Sequence, residues 1–227
     1  MLARATLSIL GYRIDNSFCE AFKKQRVIIF PHTSRCESVL GCLALIATSN
    51  SHNVCFPVAR QYMETPIIGN ILQYFGGVKV VNGSGMTNSI IEYMKQNKHK
   101  LFAISPEGSL SAKEWKSGFF YIAKGINSPI CVGGIDFVNH VIKVNLDTEI
   151  EISQDDKYEN KVEEIKNVFA NCKIYPLYSG CSNPDVITPK EFKSHFIPLN
   201  RMFLIPFTLF FIIGLIYFSI KHLQYIE

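Results

Sequence analysis

The chain has 227 residues, of which 48% are hydrophobic and 19% charged, so it can form one packed domain with an appendage and is not intrinsically disordered. Its net charge of +4, without a dense run of Lys and Arg, gives no support for nucleic-acid binding. The seven cysteines are scattered, odd in number and without a CxxC pair. This pattern favours a reducing compartment and argues against a disulfide framework and a zinc site.

Residues 1–22 begin with a short, mildly apolar segment that carries Arg4 and Arg13. The segment is too short and too charged to resemble a cleavable signal peptide. It predicts an N-terminal helix, which either lies in a membrane interface as an amphipathic segment or is an ordinary first helix.

Residues 23–198 alternate between short apolar runs and longer segments with helical character. The alternation predicts an α/β domain with a mixed, largely parallel sheet flanked by helices. The predicted strands are residues 27–30, 53–58, 78–81, 101–105, 129–137 and 141–146. The predicted helices are residues 36–48, a segment that ends at residue 73, and residues 86–96, 115–125 and 157–172.

Residues 203–220 read FLIPFTLFFIIGLIYFSI and carry no charge. A run of this length can span a bilayer as one helix, and such helices tolerate its Pro206 and Gly214. A buried core helix is the alternative, but long uncharged runs rich in Phe are unusual in soluble domains. The sequence therefore predicts a C-terminal transmembrane helix and a phospholipid membrane as a partner.

His32 follows the first predicted strand of the domain, where a loop leads into a helix. Sites in open α/β sheets gather at the carboxyl ends of strands, and histidine can take a proton from a hydroxyl near neutral pH. Glu37, five residues on, can orient such an imidazole from the first turn of the helix. Ser34 and Glu37 also match a helix capping box, and one Glu can serve both purposes.

A second motif, Ser-Pro-Glu-Gly-Ser at residues 105–109, follows another predicted strand and places Glu107 and Gly108 at the same edge of the sheet. Alone, such a motif indicates only a turn. Lys113 and Lys116 lie downstream and can supply positive charge to a phosphate.

Arg60 follows the second predicted strand, where a lone basic residue is most often solvated surface.

Several classes of enzyme are excluded by missing motifs. The chain has no GxSxG nucleophile elbow, no P-loop and no complete dinucleotide-binding fingerprint. No cluster of residues points to a metal.

In their order and spacing, these motifs resemble the glycerolipid acyltransferases, the 1-acylglycerol-3-phosphate acyltransferase superfamily. The resemblance covers roughly residues 27–137, about half of the chain. Its most specific part is residues 106–136, where PEGS, EWKSGFFYIAKG and PICVGGIDF are similar to small members of that superfamily.

The resemblance implies a glycerol-3-phosphate acyltransferase-like fold and a membrane-bound enzyme. The enzyme would transfer a fatty acyl group from acyl-CoA or acyl-ACP, its co-substrate, to the hydroxyl of lysophosphatidic acid or another lysophospholipid. His32 would be the general base and Glu37 the acid that orients it, with no cofactor and no metal. With a single-pass anchor, the unpaired cysteines favour a catalytic domain that faces the cytosol. The implied substrate-binding residues are Arg60, Glu107, Gly108, Ser109, Lys113 and Lys116.

Three positions depart from the pattern of the superfamily. Glu37 stands where Asp is usual, and Asn82 and Leu110 stand where arginines hold a phosphate. Lysine does not replace such bidentate contacts equally, so the acceptor headgroup is left open. The departures also motivate an alternative function, a catalytically silent lipid-binding or scaffold protein that keeps the fold. The presence of His32, Glu107 and Gly108 favours the enzyme.

Overall fold

The computed structural model describes residues 2–31, 36–80, 85–97, 101–108 and 114–175. These residues all belong to the first of two compact units, Met1–Ser194. The apolar run 203–220 lies outside the described residues, so the transmembrane helix stays a prediction. Within the described ranges, no helix has both the length and the apolar character to cross a membrane.

The order of elements is mixed α and β. The seven strands are β1 (Arg13–Ile14), β2 (Arg26–Ile29), β3 (Val54–Ala59), β4 (Gly77–Val80), β5 (Leu101–Ile104), β6 (Ile130–Asp136) and β7 (Val141–Ile150). The helices are α1 (Leu2–Ile9), α2 (Asn16–Glu20), α3 (Cys36–Ala47), α4 (Arg60–Met63), α5 (Pro66–Tyr74), α6 (Met86–Asn97), α7 (Gly118–Gly125) and α8 (Tyr158–Asn171), with a 3-10 turn at Ala21–Lys23.

All seven strands form one sheet in the order β1-β7-β6-β2-β5-β3-β4. Every neighbouring pair is parallel except β6 and β7, which form an antiparallel hairpin. Helices connect β2, β3, β4, β5 and β6, as parallel pairing requires. The predicted α/β class with a mixed, largely parallel sheet is confirmed.

Strand β2 lies in the middle of the sheet and is buried along its whole length. Val27 and Ile29 belong to a core cluster with side chains of α6, α7 and α8, whereas Ile28 packs on the other face with the 3-10 turn and Leu45 of α3. This alternation follows from the two-residue period of a strand. A strand buried on both faces needs apolar residues at every position, which explains the continuous VII run.

Two segments differ from the predicted elements. The sequence predicts an N-terminal helix in residues 1–22, and the described residues 2–23 contain α1, β1, α2 and the 3-10 turn. Ala3 and Leu7 are buried, and α1 packs on α3, where Arg4 Nε donates to the Ala47 carbonyl oxygen (2.9 Å). The helix predicted to end at residue 73 is two helices. Pro66, the first residue of α5, restricts the residue before it to extended conformations and so separates α4 from α5.

A charged network holds the amino end of the sheet. Arg26, at the start of β2, is 7% exposed, and its Nε donates to Glu149 of β7 (2.7 Å). Its Nη1 donates to the carbonyl oxygen of Ala21 (2.6 Å), and Lys24 also pairs with Glu149. Burial opposes ionisation of Glu149, but the hydrogen bonds from Lys24 and Arg26 outweigh it and lower the pKa of this carboxyl.

Candidate active site

The carboxyl ends of β2, β5 and β3 lie side by side at one edge of the sheet, because β5 pairs in parallel with both neighbours. The register places Ile29 opposite Ile104, so β2 and β5 end at the same level, and the Phe30 N–H donates to the Ile104 carbonyl oxygen (3.2 Å). The segments that follow these strands therefore leave the sheet about 5 Å apart. This is the edge at which open α/β sheets bind ligands.

Glu37 is the second residue of α3, which begins after β2. The residue is 8% exposed, an unusual environment for a carboxylate. The N-terminus of a helix favours negative charge, because its first backbone N–H groups have no partners within the helix. The structure therefore places the predicted orienting acid at the expected edge, inside the protein and on a rigid element.

His32 lies outside the described residues, so its contact with Glu37 stays a prediction. The same applies to Ser109, Lys113, Asn82 and Leu110.

The second motif forms a tight turn directly after β5. Glu107 is 3% exposed and accepts a hydrogen bond from the Ser105 hydroxyl. The Gly108 N–H donates to the Ser105 carbonyl oxygen (3.1 Å), and the Lys116 N–H donates to the Pro106 carbonyl oxygen (2.9 Å). Gly108 has φ +69°, a left-handed conformation that glycine adopts without steric cost. Glu107 is thus a buried carboxylate on a turn fixed by its own backbone.

Lys116 lies across this turn. A Cβ atom at Gly108 would lie 3.1 Å from Lys116 Nζ and 3.3 Å from its Cδ and Cε. Both the close approach of Lys116 and the left-handed backbone conformation therefore favour glycine at this position. Lys116 is exposed and forms no ion pair with any residue that the structure describes. Its ammonium is a positive charge at the edge of the sheet, available to an anionic ligand.

Arg60 is the first residue of α4, directly after β3, so it lies at the predicted edge but one strand further from β2. Its side chain is 70% exposed, and its Nε donates to Glu64 Oε1 (2.7 Å). Lys79 of β4 donates from Nζ to the same oxygen (2.7 Å). Hydrogen bonds from Lys79 and Arg60 lower the pKa of Glu64. Arg60 therefore lies at the predicted edge of the sheet, where its guanidinium already pairs with the Glu64 carboxylate.

Sequence reasoning missed Glu64 and Lys79 as members of this edge. The four-residue spacing of Arg60 and Glu64 is a signal for a helical ion pair and was available from the sequence. Lys79 gave no such signal, because its contact with Glu64 depends on the pairing of β3 with β4, in which Val58 lies opposite Lys79.

The buried thiols of Cys55 and Cys131 are poor candidates for a covalent nucleophile. Cys55 and Cys131 are free and buried, and burial raises the pKa of each thiol to about 12. A thiol with so high a pKa is almost entirely protonated at neutral pH and is a poor nucleophile. Among the residues that the structure describes, no group of three His, Cys, Asp or Glu is arranged to hold a metal ion.

No family model matches the chain, and no curated protein matches it significantly. Among solved structures, the chain is similar to the crystal structure of the 1-acyl-sn-glycerophosphate (LPA) acyltransferase PlsC from Thermotoga maritima. The TM-score is 0.47 and the sequence identity 15%, over 72% of this chain and 73% of that one.

Proposed function

We propose that this chain is a membrane-bound O-acyltransferase that moves a fatty acyl group from acyl-CoA or acyl-ACP to the hydroxyl of lysophosphatidic acid or another lysophospholipid. The observation that carries the proposal is the position of Glu37 and Glu107. These acids belong to two motifs far apart in the sequence, yet both are buried where two adjacent parallel strands end. The resemblance of the sequence to glycerolipid acyltransferases supplies the reaction.

The burial of these acids supports a role in chemistry. Taking a carboxylate out of water is costly unless hydrogen bonds or charges compensate it. Glu37 sits in the first turn of a helix and Glu107 on a turn closed by three hydrogen bonds, so both are held in defined positions. Defined positions on rigid elements are what a catalytic site needs, since small displacements of reacting groups reduce the rate.

The proposed reaction is a direct attack on the thioester. His32 takes the proton of the acceptor hydroxyl as the oxygen attacks the thioester carbonyl carbon, and Glu37 orients the imidazole and stabilises the imidazolium. The tetrahedral intermediate then collapses and breaks the carbon–sulfur bond. The thiolate leaves and takes the proton from His32, so one ester forms, one thioester is consumed and the base is regenerated.

Glu107 and Gly108 are proposed to shape the acceptor site next to this base. Strand β5, which leads into this turn, ends level with β2, which leads toward His32 in the sequence. Of the basic residues that the structure describes, Lys116, which lies across Gly108, is proposed to contact the acceptor phosphate. Ser109 and Lys113, carried over from the same motifs, are proposed to complete this contact.

The experiment is an acyl-transfer assay on the full chain in detergent or liposomes, with labelled oleoyl-CoA and a panel of lysophospholipids, repeated with acyl-ACP. We expect transfer to at least one acceptor and a loss of about 1,000-fold in kcat/KM for His32→Ala, the range typical of a general base. His52→Ala is the matched control, because His52 precedes β3 at the opposite end of the sheet. Folded protein that transfers to no acceptor from either donor would favour the silent lipid-binding alternative.

We also propose that residues 203–220 anchor the enzyme, because long-chain substrates reside in the bilayer. Deletion from Met202 onward is expected to release the protein from membranes in a flotation assay. Membrane binding that survives the deletion would instead assign the anchor to another segment. The exposed Leu2 and Ile9 of α1 then become the first residues to replace with polar ones.

A further inference from the structure

The basic residues at the carboxyl edge of the sheet are not equivalent. Arg60 and Lys79 both donate to one oxygen of Glu64, each at 2.7 Å. Lys116, across the turn after β5, has no ion pair with any described residue. Two of these three cations therefore share one negative charge before any ligand arrives.

The position of Glu64 follows from the fold. Strands β3 and β4 pair in parallel with Ala59 opposite Val80, and α4 begins immediately after Ala59. One turn of α4 returns Glu64 over Arg60, where it also reaches Lys79 on the neighbouring strand. The Glu64 side chain is about half exposed, so the cluster is open to a ligand in solution.

We infer that Glu64 makes the site select its acceptor by the charge of the headgroup. The site then favours a lysophospholipid whose phosphate is a diester over one with a free phosphomonoester. The inference rests on the proposed function and names its acceptor class. A phosphodiester carries one negative charge, whereas a phosphomonoester carries about −1.5 to −2 at neutral pH. Glu64 offsets one positive charge of this flank and accepts a hydrogen bond from Arg60 Nε and one from Lys79 Nζ.

The ionisation of Glu64 is secure in the pH range of an assay. Hydrogen bonds from Lys79 and Arg60 hold its pKa below the ordinary value for a glutamate. The carboxylate thus stays charged while a phosphomonoester changes between one and two negative charges near pH 6. Its repulsion of a phosphomonoester is therefore strongest above that pH.

The test compares two acceptors with the same acyl chain, lysophosphatidic acid and lysophosphatidylglycerol, with wild type and Glu64→Gln of the full chain. Binding to nonionic detergent micelles that contain one acceptor is measured at low ionic strength, and kcat/KM for acyl transfer is measured in the same micelles. Wild type is expected to prefer lysophosphatidylglycerol. Glu64→Gln is expected to raise the ratio of lysophosphatidic acid to lysophosphatidylglycerol about fivefold in both measurements, the size of one removed charge at contact distance in water.

Glu163→Gln is the charge-matched control, because Glu163 pairs with Lys166 on the surface of α8 and should leave the ratio unchanged. The shift for Glu64→Gln should also shrink at about 0.5 M salt, since exposed charges are screened. A wild type that prefers lysophosphatidic acid, or a ratio that Glu64→Gln does not change, would overturn the inference. Wild type that binds with the expected preference but transfers no acyl group would refute the proposed function and leave the inference standing.

Discussion

The two ends of the sheet use charge in opposite ways. At the amino end, the buried Arg26 donates to Glu149 and to backbone oxygens, and Lys24 adds a second cation to the same carboxylate. At the carboxyl end, the buried groups are acids, Glu37 and Glu107. Lys116 lies there exposed, without an ion pair to a described residue.

The difference separates stability from function. A buried ion pair whose charged groups already bond within the protein offers a ligand little to bind, and loss of one partner leaves a buried charge uncompensated. Buried acids beside an accessible cation can instead take part in proton transfer and bind an anionic group. The amino end is therefore expected to respond to mutation in the free energy of unfolding, and the carboxyl end in acyl transfer.

Glu149→Gln is expected to have the largest effect on stability. It leaves Arg26 buried without its counter-charge, and loss of one partner of a buried pair costs about 3 kcal/mol in the free energy of unfolding. Urea denaturation followed by circular dichroism measures it. The kcat/KM of the folded fraction should stay within about twofold of wild type, by the same acyl-transfer assay. A large loss of activity at full stability would break the comparison between the two ends.

Gly108→Ala is expected to combine a smaller loss of stability with a loss of activity. An alanine at φ +69° is strained by about 1–2 kcal/mol, and its Cβ crowds the side chain of Lys116, which must shift by a few tenths of an ångström. Thermal unfolding and the KM for the acceptor check both effects. Gly118→Ala is the control, since a Cβ there would meet only Thr87 Oγ1 at 3.8 Å. Equal effects of the two changes would show that the turn has no special role.

The pH dependence of stability is expected to report the amino end. The folded-state pKa of Glu149 is lowered, so its contribution is complete above the ordinary carboxyl value of 4.5 and is lost as pH falls through the lowered value. Denaturation midpoints for wild type and Glu149→Gln should therefore converge as the pH falls below about 4.5. A constant difference down to pH 3 would contradict the assignment of this carboxylate as the titrating group.

Glu37→Asp is expected to have the smallest effect. The shorter side chain moves the carboxylate by about 1 Å, which alone would reduce the rate. It also restores the acid that is usual in the superfamily that the sequence resembles, so acyl transfer should stay within about threefold of wild type or improve. A loss of several orders of magnitude would show that the site depends on the longer side chain. Glu37→Gln, which removes the charge at constant size, should reduce kcat about 100-fold.

Much of the fold was predictable because it depends on local patterns. Continuous apolar runs gave β2, β5 and β6, and the amphipathic repeat of residues 157–172 gave α8 to within one residue at each end. The antiparallel direction of β7 was not predictable, since the runs indicate strands but not their neighbours. The two-residue strand β1 has no pattern at all and exists only through its pairing with Val141 and Ile142.

The site was predictable as a set of motifs but not as a set of contacts. The motifs placed Glu37 and Glu107 at the correct edge, yet their burial depends on what packs over them. Arg60 was expected to face a phosphate, whereas the fold pairs it with Glu64. That contact has a sequence signal, but the contribution of Lys79 required the sheet order.

The central position of β2 also fixes when the site can form. Its two neighbours in the sheet, β5 and β6, both come much later in the chain. During synthesis on the ribosome, about a hundred residues follow β2 before β6 emerges and can cover its second edge. Long-range pairing of this kind slows folding and exposes an apolar strand meanwhile. Glu37, the turn at Gly108 and Lys116 can consequently come together only after β5 has paired with β2.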